Sequence, residues 1–84
     1  TLSPEIMKAI AGDYGPRRIL IEDGDLFYQR EGRPKMKMLP MSGELFSFAE
    51  APGFRLKIVR KDGKVTGVEG HYDDGTIDAD PRTN

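Results

Sequence analysis

The chain has 84 residues, no cysteine and no tryptophan, which suits a single domain with a small core and excludes a disulfide framework, a thiolate nucleophile and a thiolate metal site. Net charge is −1 and the isoelectric point is near 5.7, which argues against a strongly basic nucleic-acid surface. No apolar run approaches the roughly 20 residues that span a bilayer and no charged-then-apolar signal segment opens the chain, so a soluble domain is expected and no membrane partner.

The opening on Thr1 rather than methionine suggests a piece of a longer chain. The first element predicted is a short helix over residues 4–11. Ser3 is placed to cap it, Pro4 fits the first helical position, Ile6, Met7 and Ile10 share one side, and Gly12 marks the stop. After "DYGP" the pattern changes to seven short β-rich runs over residues 17–78: RRILIE, DLFYQR, KMKMLP, ELFSFA, FRLKIVR, KVTGVEGHY and TID. They predict an antiparallel meander, either a lipocalin-like sheet or a small, partly closed barrel. Its joints are Asp23-Gly24, Gly32 with Pro34, Ser42-Gly43, Pro52-Gly53, Asp62-Gly63 and Asp74-Gly75. Gly24, Gly63 and Gly75 supply the positive φ that such hairpins need.

In the first hairpin, Ile19, Ile21, Leu26 and Tyr28 are expected inside, with Leu20 and Phe27 outside. In KMKMLP the alternation turns Met36 and Met38 inward and Lys35 and Lys37 outward. At Asp62-Gly63, a three-residue loop with a bulge pairs Val59 with Val65 and Leu56 with Val68, avoiding the poor pairing of Leu56 with Glu69. That register places Phe54, Leu56, Ile58, Thr66, Val68 and Tyr72 on the core face. Leu20, Phe27, Val59 and Val65 then form an apolar outer set, a candidate interaction surface for a preceding catalytic domain in the same chain or for a second copy. A two-residue turn at Asp74-Gly75 pairs Tyr72 with Ile77 on the buried face and His71 with Asp78 outside.

Motifs that carry chemistry are scarce. "HYDDGTIDAD" holds the single histidine, His71, but counting back from Gly75 puts Gly70 and Tyr72 where a calcium loop needs oxygen ligands, and one histidine does not furnish a common zinc site. Neither a metal nor another cofactor is expected. Ser3 reads as a cap, Ser47 lies within a strand, and Ser42 in "PMSGE" lacks the first glycine of a nucleophile elbow. The carboxylate pairs Glu22 with Asp25 and Glu44 with Glu69 have turn or strand-edge roles of equal merit. No catalytic residue is assigned. Residues 17–64 carry eleven Lys or Arg against seven acids, and 65–84 carry one Arg against five. Within the basic part, "FYQREGRPKMKM" sets Arg30, Arg33, Lys35 and Lys37 near Phe27 and Tyr28, a weak signal for single-stranded nucleic acid, which is not the expected partner.

The succession of Gly12 to Tyr14, "RILIEDGDLFYQREG", "LPMSGELFSF", "FRLKIVRKDGKVTGVE" and "YDDG" resembles the small all-β modules C-terminal to serine hydrolases, both beta-lactamase-related enzymes and tail-type proteases. Ile10, Gly12, Tyr14, Leu26, Leu39, Pro40, Phe46, Gly63, Val65 and Gly67 carry the likeness. It implies an antiparallel sheet or partly closed barrel without catalytic residues of its own, appended to a hydrolase outside the cytoplasm. Three functions follow as expectations: a non-catalytic accessory module, a small-ligand or peptide-binding β-barrel, and, more weakly, a nucleic-acid binder through residues 30–37.

Overall fold

A computed structural model describes residues 2–42 and 44–84; Gly43, half of the expected Ser42-Gly43 turn, lies outside the described residues. The helix α1 runs Pro4–Ile10. Ser3 Oγ accepts from the Ile6 N–H at 3.2 Å and proline occupies the first turn, as the sequence predicts. The helix ends one residue sooner than expected, at an Ala11 cap. Met7 and Ile10 are buried, while Ile6 is exposed because a helix this short turns only one narrow stripe to the core.

Two antiparallel sheets follow. The first, in order β1-β2-β3-β4, comprises β1 Gly12–Tyr14, β2 Arg17–Glu22, β3 Asp25–Arg30 and β4 Met36–Lys37. The second, in order β5-β6-β7-β8-β9, comprises β5 Leu39–Pro40, β6 Leu45–Ser47, β7 Phe54–Lys61, β8 Lys64–Tyr72 and β9 Ile77–Pro81. The meander is therefore correct in chain order, but KMKMLP is two strands. Met38 is the corner between them, and its N–H donates to Leu26 O at 2.9 Å. On the far side Thr83 N–H donates to Asp13 O at 2.9 Å, Arg82 N–H to Thr66 O at 2.8 Å, and Asp13 N–H to the Asn84 side chain at 2.9 Å. These bonds draw the edge strand β1 toward the C-terminal residues and partly close the structure.

The hairpins correct the expected registers. Asp62 and Gly63 both have positive φ, 53° and 79°, and Lys61 faces Lys64, so this is a two-residue turn like that at Asp23 and Gly24, with φ of 51° and 80°. Continued without interruption it would set Leu56 against Glu69. Instead Arg60 pairs with Val65 and Val59 with Gly67, leaving Thr66 as an extra residue. The bulge changes the parity of β8: Ile58 meets Val68, Lys57 meets Glu69 and Leu56 meets Gly70. Val59 and Val65 are consequently not partners, and Thr66 is exposed rather than on the core face. At Asp74-Gly75 the loop has three residues: Gly75 N–H donates to Tyr72 O, Tyr72 N–H to Thr76 O, and Gly75 takes φ 89°. His71 then pairs with Ile77 and Gly70 with Asp78, not Tyr72 with Ile77 and His71 with Asp78. Ile77 is left 57% exposed.

The core between the sheets is built from Tyr14, Ile19, Leu26, Tyr28, Met38, Phe46, Phe48, Leu56, Ile58 and Val68, with Met7 and Ile10 of the helix. Alternation accounts for most of it. The expectation that Ile21 is inside fails, because the core thins toward the Asp23-Gly24 turn and leaves Ile21 39% exposed. Tyr72, at 37%, is likewise not buried.

Candidate functional site

Strand parity sends a particular set of side chains toward one another where the core runs out. Leu26, Tyr28 and Arg30 alternate on the inner face of β3, so Arg30 continues the core face past its apolar part. Phe54 occupies the same position at the start of β7, and the register sets Tyr72 opposite it, while Met36 of β4 faces Tyr28. The result is a cleft of about 680 Å³ between the edge of the first sheet and the ends of β7 and β8. Tyr28, Met36, Ala51, Phe54 and Tyr72 form its wall, and Arg30, Arg33, Lys35 and Glu50 its polar rim.

The rings form a chain of contacts. Phe54 lies 5.4 Å from Phe48, 5.8 Å from Tyr28 and 5.2 Å from Tyr72 between centroids, offset or tilted as aromatic quadrupoles prefer. Burial pushes the Tyr28 phenol above its ordinary pKa, so it stays protonated and available as a donor. Burial opposes the charge of the neighbouring Arg30, but the Tyr28 and Tyr72 hydroxyls and the Asp78 carboxylate around its guanidinium together outweigh this and raise its pKa. Arg30 Nη1 is out of reach of solvent and has no hydrogen-bond partner among the described residues. Lys35 is otherwise occupied, with Nζ 2.5 Å from Glu22 and 6.0 Å from the centre of the Phe27 ring.

Beneath the cleft lies a residue that sequence reasoning missed. Arg17 is 1% exposed. Its Nη2 donates to Asp78 Oδ2 at 3.0 Å and to the Tyr72 hydroxyl at 3.4 Å, and its Nε sits 3.1 Å from Asp80 Oδ2 without hydrogen-bond alignment. Space for this guanidinium depends on Gly70: a Cβ there would come within 2.7 Å of Arg17 Nη1 and 2.9 Å of Phe54 Cε1. Arg17 thus supports Tyr72 from below and ties β2 of one sheet to β9 of the other. A signal was available. Arg17 shares parity with Ile19 in RRILIE, and Asp78 and Asp80 share a face of β9, so opposite charges were both directed inward.

The candidate outer set divides between the sheets. Leu20 and Phe27 are paired across β2 and β3 and both half-buried, Val59 is half-buried opposite Gly67, and Val65 packs against the core. The carboxylates considered for acid–base work each meet a cation or imidazole: Glu22 with Lys35, Asp25 with Lys37, Glu44 with Arg60, Glu69 with His71. Ser3 is engaged as a cap. Among the described residues no three His, Cys, Asp or Glu side chains are grouped to hold a metal, and no helix is long and apolar enough to cross a membrane. Compared with known proteins, the chain matches no family model, no curated protein and no solved structure.

Proposed function

We propose that the domain is a non-catalytic interaction module, of the accessory kind that the likeness to hydrolase-associated modules implies, and that it holds its ligand in the cleft between β3–β4 and the ends of β7 and β8. The observation that supports this reading is the make-up of the cleft. Three aromatic rings and a methionine make its wall, three cations stand on its rim against one carboxylate, and among the described residues its lining contains no serine, threonine, cysteine or histidine to serve as nucleophile or base. Its volume falls within the roughly 300–1,000 Å³ of small-molecule sites. A hydrolase domain in the same chain is the first macromolecular partner to pair with it.

The test combines binding and turnover. Amide resonances of the labelled domain, titrated with a mixture of small organic acids, amines and short peptides, are expected to shift at residues 28–36, 50–54 and 72. Shifts confined to Leu20, Phe27 and Val59 would move the interaction face to the outer sheet surface. The domain alone is expected to leave p-nitrophenyl acetate and a chromogenic β-lactam at the buffer rate, and turnover abolished by His71→Ala would overturn the non-catalytic reading.

A further inference from the structure

We infer that the cleft is a site for a small aromatic or apolar acid, its anionic group on the Arg30 and Arg33 guanidinium groups and its flat body against Phe54 and Tyr72. This rests on the cleft being the ligand site and adds the class of ligand.

Charge carries the first half of the inference. Most arginines with a defined side-chain partner already have their anion or carbonyl: Arg17 has Asp78 and Asp80, Arg18 has Asp13, Arg60 has Glu44, and Arg82 donates to the Ala9 and Ala11 carbonyls. Arg30 and Arg33 have no carboxylate partner among the described residues, and Nη1 of Arg30 is buried with no acceptor. Both line the cleft, where, with Lys35 already paired to Glu22, the two arginines exceed the one carboxylate, Glu50, by one. Guanidinium groups that line a cleft without a carboxylate partner favour an oxyanion, and their planar fork suits a carboxylate or phosphate.

The aromatic wall carries the second half. Tyr72 is 37% exposed and held from below by Arg17, and Phe54 is fixed by three ring neighbours. Such ordered, partly exposed rings offer a flat apolar surface without the entropic cost of ordering it on binding. A nucleic-acid strand needs a basic track many nucleotides long, whereas here the unpaired arginines are confined to one cleft on a chain of net charge −1. A compact acid matches the cleft better.

The experiment uses 1-naphthoate with its neutral counterpart 1-naphthamide, followed by amide and side-chain NMR. Saturable shifts by naphthoate at Arg30, Ala51, Phe54 and Tyr72 are expected, with naphthamide about tenfold weaker or more, the worth of one charge-assisted hydrogen bond. Arg30→Gln should erase that discrimination. Arg33→Gln, at an exposed position where folding is not at stake, should reduce it several-fold, and Tyr72→Ala should weaken both probes alike. Naphthyl phosphate binding as tightly as naphthoate supports the same site for phosphate esters. Inorganic phosphate binding as tightly as naphthoate would remove the role of the apolar body, and a ten-residue oligothymidylate binding tighter would replace the small acid with nucleic acid. Equal binding of naphthoate and naphthamide in the cleft overturns the ligand class alone. If neither probe moves a cleft resonance, the cleft falls as the ligand site as well.

Discussion

The two seams that join the sheets are made in different ways. At Met38 the chain itself turns the corner, carrying a buried apolar side chain and a backbone bond to Leu26 from one sheet into the other. At the opposite seam no strand is shared. There Arg17 reaches from β2 to two carboxylates of β9, and Arg82 reaches back to the Ala9 and Ala11 carbonyls at 2.7 Å each, while stacking over Tyr14 at 5.5 Å. The apolar corner loses only its own contacts when cut. The ionic seam is asymmetric, because its cation is fully buried while the Asp78 and Asp80 side chains are 47% and 21% exposed. Removing the arginine leaves carboxylates that water can solvate; removing the carboxylates strands a buried charge.

That asymmetry is the largest effect expected. Asp78→Asn with Asp80→Asn should cost about 3–5 kcal/mol in urea unfolding, whereas Arg17→Met, which keeps the bulk and deletes the charge, should cost about 1–2 kcal/mol. Equal costs would mean that the seam is held by packing and not by charge. Cutting the other seam with Met38→Ala should cost about 2–4 kcal/mol by loss of a buried side chain. A value under 1 kcal/mol would show the corner to be held by its backbone alone.

Gly70→Ala sharpens the comparison, since its methyl group collides with Arg17 and Phe54 and leaves the Met38 corner untouched. A loss of about 1–3 kcal/mol is expected, with Tyr72 resonances shifting and those of Met38 unmoved. The smallest effect concerns the helix end of the ionic seam. Tyr14 donates to Ile10 O at 2.5 Å, and burial raises its phenol above the ordinary 10.0. A folded-state pKa raised in this way gives stability that is fully present below about pH 10 and is lost as pH rises through the folded value. Tyr14→Phe should therefore cost about 1 kcal/mol at pH 7 and flatten the alkaline fall in melting temperature. An unchanged alkaline slope would assign that fall to Tyr28, whose phenol is raised by the same cause.

Local chemistry was sufficient for the helix, with Ser3 and Pro4 at its start, and for the positions of the turns at Gly24, Gly63 and Gly75, which all take positive φ. Alternation was sufficient for Ile19, Leu26, Tyr28, Met38, Leu56 and Ile58, because side-chain direction along one strand needs no knowledge of any other. What the sequence did not determine was the length of each loop. Asp62-Gly63 and Asp74-Gly75 read alike, yet one closes with two residues and the other with three. A difference of one residue reverses every pairing beyond it, and the Thr66 bulge makes a further reversal inside β8. Those parities arise from burying Leu56, Ile58 and Val68 together while giving Arg17 room over Gly70 and anions from β9, a balance struck among four strands at once. The cleft has the same origin. Arg30 and Arg33 were visible as a basic strip, but Phe54 and Tyr72 join them only when the two sheets meet, at sequence separations over which local propensity carries no information.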